Sequence, residues 1–375
     1  MIVWLALHAF PFPRCARLHG LAASLVFAAV PSARPGRSAL VTASADGRLS
    51  YQPYTERGDV LPDFSHCGFG GGGVALPDAV VKETLEPRAD GDGSARIQAA
   101  LDRVEAVEGN RVTVGAPIAC AIDAQWGGGA LGRTNDERIE RCGVESLRAV
   151  SVFDASKTAQ QDGEKVFTDE EHASHVVAFG AVKNSWLRRV TSVHFWHGPA
   201  EVSCGAKWIT VEDCRSLAPI SVITGSRRYP YSVNGQLVLI QRCYSDRARH
   251  AFVFGSRVPG PNGFLECRSE HDYATSEPHH RWSVGGLYDN VEAPIAIQDR
   301  QWLGTGHGWA GANYVVWNCN GSLICQKPPT AQNFAIGQVG PKGEPAFERP
   351  DGWWESTGTP VEPRSLYQAQ LAARR

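Results

Sequence analysis

Methionine occurs once, and none of the ten cysteines forms a Cys-x-x-Cys pair. Zinc ribbons and thioredoxin-like redox sites are thereby excluded. Neither sign of charge dominates: 37 Lys plus Arg against 39 Asp plus Glu leave a formal charge of −2. That balance argues against a nucleic-acid partner recognised through bulk positive charge. No apolar run is long enough to span a bilayer as a helix. Gly70 to Gly73 are not followed by a helix where a phosphate-cradling loop would need one, and nothing else points to a nucleotide, flavin or haem cofactor. What the chain does have is turn formers, 39 glycines and 23 prolines, within 375 residues that are 43% hydrophobic. Such a chain buries a sizeable core, and turn-rich all-β architecture is the expectation.

The first 45 residues resemble an export signal. Arg14 and Arg17 precede an apolar run from Leu21 to Val30, and Ala43-Ser44-Ala45 offers small residues for cleavage. Met1 to Pro13 would be an over-extended start. Secretion, extracellular or periplasmic, is the expected fate, with a cytoplasmic chain carrying an unstructured extension as the alternative.

From Arg138 to Gln326 one short pattern recurs: an apolar-rich strand, a polar residue, then Cys or Val. Its anchors are Cys142, Val190, Cys214, Cys243, Cys267, Val291 and Cys319, at intervals of 48, 24, 29, 24, 24 and 28 residues. The first interval equals two turns of 24. A fixed period near 24, filled by about three short strands and their turns, predicts a single-stranded right-handed parallel β-helix over residues 60–340. Stacked turns would place the anchors in one inward column, with cysteine acting as a small buried hydrophobe. Cys243 and Cys267, on neighbouring turns, lie near disulfide range, though packing is the expected role.

A solenoid needs closed ends. Ile97, Ala100, Leu101, Val104 and Val107 have helical spacing, behind the capping residues Asp90 to Ser94, and predict an N-terminal capping helix. Residues 341–375 are Pro- and Gly-rich, with a short helix expected from Ser365 to Ala373, and would cover the other end. A solenoid closed at both ends needs no partner subunit, so a monomer is expected.

Asp63-Phe64-Ser65-His66-Cys67-Gly68-Phe69-Gly70 to Gly73, then Asp90-Gly91-Asp92-Gly93 and Ile97 to Asp102, resemble the opening of pectate-lyase-superfamily β-helix proteins. Pro278 to Trp282 with Leu287 to Asn290, and Gly306 to Gly311, are similar to a bacterial subgroup of secreted members. The resemblance covers most of residues 60–340 and implies the fold. It does not choose a reaction, because this superfamily includes lyases, hydrolases, esterases and phage tailspikes. One departure stands out: Asn110 to Leu131 lacks strand anchors where complete turns are usual.

Counting from the anchors places side chains in columns. His197, His250 and Gln298 each lie seven residues after an anchor, and Arg228, Arg257 and Arg281 fourteen after, although matching Gly225-Ser226-Arg227 to Gly255-Ser256-Arg257 chooses Arg227 instead of Arg228. A ladder of guanidinium groups suits repeated carboxylates, because arginine binds them bidentately. Trp196, Trp282, Trp302 and Trp309 offer platforms for sugar rings. The bland reading pairs each arginine with a local acid such as Asp246, Glu266 or Glu270.

The densest constellation is His279-His280-Arg281-Trp282 after Glu270-His271-Asp272. Elimination at a uronate requires a neutralised carboxylate, a base, and an acid for the departing oxygen. Arg281 or Arg257 would neutralise, His280 or His250 would be the base, and Tyr231 or His307 the acid. Arg228, Arg257, His279, Trp282, Trp309 and Gln298 are the expected substrate contacts. The competing reading of the histidines is a hydrogen-bonded buried pair, or a metal held by His279 and His280 with Glu270, Asp272 or Glu277. No metal is assigned, and calcium lacks an Asp-rich loop to hold it.

The expected function is therefore a secreted polysaccharide lyase acting on an acidic, uronate-containing glycan. Two alternatives remain. A polygalacturonase-like hydrolase shares Gly306-His307-Gly308 but needs paired carboxylates; the chain has no adjacent aspartates, so Asp272, Asp289 and Asp299 would have to converge. A non-catalytic carbohydrate-binding solenoid would use the same arginines and tryptophans without a base.

Overall fold

The structure is a computed structural model that describes residues 35–77, 116–121, 125, 136–161 and 163–374. The expected capping helix at Ile97 to Val107, the segment from Asn110 to Leu131 apart from a few residues, and the apolar run Leu21 to Val30 lie outside the described residues. The all-β expectation holds, with long parallel sheets. Helix among the described residues is confined to short segments and Leu366–Arg374. None of these helices is long and apolar enough to cross a membrane.

Three parallel sheets carry the architecture, and the chain visits them in rotation. The first runs through Val182–Arg188, Lys207–Glu212, Leu239–Gln241, Asn262–Leu265, Gly286–Asp289, Val315–Trp317, Phe334–Ile336 and Trp353–Glu355. The second contains Arg148–Val150, Thr191–Val193, Arg215–Leu217, Tyr244–Asp246 and Arg268–Glu270. The third contains His175–Phe179, Gly198–Val202, Tyr231–Val233, Phe252–Ser256 and Glu277–His280. Each strand pairs with its equivalent in the next pass, and the register confirms the anchors: Leu187, Val211, Ile240, Phe264, Tyr288 and Val316 are successive partners. Three residues after each comes Val190, Cys214, Cys243, Cys267, Val291 or Cys319, all buried in one core.

The polar residue before each anchor has a conformational reason. Arg189, Asp213, Arg242, Glu266, Asn290 and Asn318 all adopt φ between 50° and 55°. That left-handed position turns the chain from the first sheet into the second, and their N–H groups donate to carbonyls of the next pass. A second left-handed bend follows four residues after the anchors, at His194, Ala218, Arg247 and His271.

Cys142 is not the first anchor. Val144 pairs with Leu187, so Leu147 occupies the column and Cys142 lies five residues too early. The 43-residue interval to Val190 holds one pass enlarged by an antiparallel hairpin, Thr158–Gln161 with Glu164–Phe167, instead of two turns of 24. Cys243 and Cys267 are free thiols, like every other described cysteine. Burial pushes the Cys243 thiol up, consistent with a packing role.

The first sheet is buried on both faces. Phe264, Tyr288 and Val316 point into the space between the sheets, whereas Leu239, Leu265, Leu287, Val315 and Trp317 point outward into a second core. Such two-sided burial explains the unbroken apolar strands. Leu40, Val41, Leu366, Tyr367 and Leu371 cover that outer face. Two expected boundaries move as a result. Gly36–Arg37 pairs with Val361–Glu362, so the fold reaches into the first 45 residues. Residues 341–375 add a strand to the first sheet and then return along its outer face, instead of only closing an end.

Candidate active site

The outer face of the third sheet gathers the chemistry. Tyr231, Val233, Phe252 and Phe254 face the core, so by strand alternation Val253, Glu277 and His279 face outward. Loops on either side bring in Tyr229, Arg249, His250 and His307. Tyr229 is the hub. Its hydroxyl is 3.0 Å from His279 Nε2 and accepts a hydrogen bond from Arg249 Nη1 at 2.8 Å. His279 Nδ1 is 2.9 Å from His280 Nδ1, and the His307 ring lies 4.8 Å from His279 and 5.0 Å from His280. On the other side His197 packs against Tyr229 and stacks on His175 at 4.5 Å. A row of imidazoles therefore crosses several passes.

Burial, the largest cause at each, keeps these rings neutral. His250 is pushed down to about 3 and His280 to about 4, His279 lies lower still, and His307 is also lowered. His280 remains half-buried, so it offers a neutral base to solvent at physiological pH. Glu277, fully enclosed, is pushed up to about 7 by burial although Arg300 Nη1 donates to it at 2.5 Å.

The arginines are arranged differently from the expected ladder. Arg257 and Arg281 do stack, with Arg257 N–H donating to the Arg281 carbonyl. Arg228 aligns with Arg249 at the opposite end of the strands, because the 29-residue pass places its extra residues before Tyr231. Arg228 is buried and donates to the Ser221 hydroxyl and carbonyl. Arg281 holds Thr305. Among the described residues, none of Arg228, Arg249, Arg257 and Arg281 is paired with a carboxylate, whereas Arg227, Arg242, Arg268 and Arg349 are. Uncompensated positive charge from Arg249, Arg257 and Arg281 thus lies beside the neutral histidines.

His250, His279, His280, Arg281 and His307 converge as expected. Tyr231 does not: it is fully buried in the core and donates to the Tyr244 carbonyl at 2.9 Å. Tyr229, two residues earlier and ahead of Pro230, is the tyrosine that lies against the histidines. The polar column also dissolves, since Gln298 lies beside His279 in register and accepts from Ala346 N–H. Trp309 pairs through its backbone with Asp299. Trp282 lines a separate cavity of about 810 Å³ with Cys120, Asn313 and Pro329. Arg281 and Trp282 are consecutive left-handed residues, and the bend they make separates their side chains.

The carboxylates wanted for hydrolysis do not converge. Asp289 accepts from Ser365 and the Tyr367 N–H at the C-terminal helix, Asp299 pairs with Arg349, and Asp272 bonds Ser269. Of the acids considered for a metal, Glu270 is bonded to Tyr244 and Arg268 on the second sheet. Only Glu277 reaches His279, and His250 joins them: their donor atoms lie within 4.8 Å of one another. Sequence reasoning missed Tyr229, Arg249 and Arg300. Strand alternation alone does not separate the two tyrosines, because residues two apart share a face; Tyr229 differs by lying ahead of the strand that begins at Tyr231.

Compared with protein-family models, curated proteins and solved structures, the chain matches none of them. The fold and the site therefore carry the functional argument by themselves.

Proposed function

We propose that the chain is a right-handed parallel β-helix of the pectate-lyase-superfamily kind, closed at its N-terminal end by the helix expected at Ile97 to Val107. We further infer a secreted, monomeric polysaccharide lyase that cleaves a uronate-containing glycan by β-elimination. The observation that carries the reading is the set of carboxylate-free arginines around neutral, partly accessible imidazoles. Arg281 and Arg257 neutralise the uronate carboxylate, which acidifies the adjacent C–H. His280 removes that proton with a lone pair kept free by burial. Tyr229, whose hydroxyl Arg249 contacts, protonates the departing oxygen. Hydrolysis is disfavoured because no pair of carboxylates among the described residues meets at the site.

The test is ultraviolet absorbance of the unsaturated product over a panel of uronate polysaccharides, using wild-type protein and the double variant Arg281→Ala, His280→Ala. New absorbance with wild type that is lost in the variant supports the lyase and its site. Reducing ends without absorbance would establish a hydrolase instead. Binding with neither signal would leave a carbohydrate-binding solenoid.

A further inference from the structure

His250, Glu277 and His279 form a group whose chemistry the elimination does not use. All three are buried, with relative exposures of 2, 2 and 9%. His279 Nε2 lies 3.8 Å from Glu277 Oε1, near the roughly 3.4 Å edge of a tetrahedron built on bonds of about 2.1 Å, and ligand atoms of all three residues lie within 4.8 Å of one another. His250 Nδ1 is 2.6 Å from the Thr275 carbonyl, so that nitrogen carries the proton. Its Nε2 is left buried with no hydrogen-bond partner. A histidine oriented by a backbone carbonyl, with its other nitrogen bare, is the usual posture of a metal ligand. A buried lone pair without a partner is otherwise costly.

We propose that His250, Glu277 and His279 bind a divalent transition-metal cation of the zinc class. Two imidazoles and one carboxylate favour such an ion over calcium, which prefers oxygen ligands. The groups that a cation would displace each keep another partner. Arg300 Nη1 also donates to the His279 carbonyl at 2.9 Å. The Tyr229 hydroxyl also lies 3.3 Å from the Gly225 carbonyl and retains Arg249. Three protein ligands leave a coordination position open, and the surrounding arginines favour an anionic oxygen there.

Untagged full-length protein, stripped with a chelator, is titrated with Co²⁺ while its visible d–d absorbance is followed. One saturable equivalent per chain, displaced by Zn²⁺, is expected. Glu277→Gln and His279→Gln should each abolish the band, and His271→Gln, an exposed histidine bound to Asp246, should leave it unchanged. A stripped, folded wild-type chain with only the free-ion spectrum overturns the proposal, as does a folded Glu277→Gln, His279→Gln double variant that keeps the band. If the variants fail to fold, the wild type still decides: Zn²⁺ must raise its melting temperature, and no rise refutes the site. The elimination assay run in chelator tests the lyase separately, so the two readings fail independently.

Discussion

Removing one hydroxyl from each of two tyrosines separates the site from the core. Tyr231 and Tyr229 are two residues apart, yet one is sealed between the sheets and the other stands among the histidines. Tyr231→Phe deletes a hydrogen bond from a fully buried side chain to the carbonyl of half-buried Tyr244. An unsatisfied buried carbonyl costs about 1–3 kcal/mol, and in a chain of this size each kcal/mol lowers the melting temperature by about 2–4 °C. The ring stack on Phe252, at 5.5 Å, survives the change, so turnover well below the melting temperature should equal wild type. Tyr229→Phe deletes the group between His279 and Arg249. Loss of a general acid lowers turnover by about 10²–10⁴, with a stability change of only about 1 kcal/mol. Thermal melts, and initial rates on a uronate glycan for which the absorbance assay gives product with wild type, measure both quantities. Turnover within about twofold of wild type in Tyr229→Phe would refute the assignment of the acid. Equal losses of rate in two folded variants would refute the separation of site from core.

The remaining expectations concern stability. Asp289 is fully buried, and burial pushes its carboxyl up to about 6, whereas an unfolded aspartate titrates near 3.9. With the folded value raised, its contribution is fully present below about pH 4 and is lost as pH rises through 6, by about 3 kcal/mol. Asp289→Asn keeps an oxygen for Ser365 and Tyr367, removes the charge and gives up the hydrogen bond from Asn290, worth about 1 kcal/mol. In urea unfolding it should be less stable than wild type by about that amount at pH 4 and more stable than wild type at pH 8, and a destabilised variant at pH 8 would contradict this account. A chain starting at residue 46 loses Leu40 and Val41 from the outer core and the pairing of Gly36–Arg37 with Val361–Glu362. At about 1.5–3 kcal/mol for each buried side chain, its melting temperature should drop by several degrees, and an unchanged melt would show that the N-terminal strap is dispensable.

The repeat was legible in one dimension because the bends are chemically marked. A polar residue in the left-handed region, followed by a small apolar one turning inward, recurs wherever the chain leaves the first sheet, so Val190 to Cys319 could be placed without coordinates. The C-terminal helix was legible too, from its own periodicity, and was found at Leu366–Arg374. Misplacement began where insertions break the count. The hairpin after Arg148–Val150 made one pass look like two, and the extra residues before Tyr231 carried Arg228 away from Arg257 and Arg281. Counting from an anchor is accurate only as far as the next loop of variable length.

Local sequence therefore determined the strands, their period and which residue types would supply the chemistry. Only the tertiary structure decided which of them meet. Tyr229 rather than Tyr231, His250 beside Glu277, and arginines left without carboxylates all depend on passes distant in sequence lying side by side. The physical reason is that a ladder between parallel strands fixes neighbours to within a residue, while the loops between them set which residues enter that ladder.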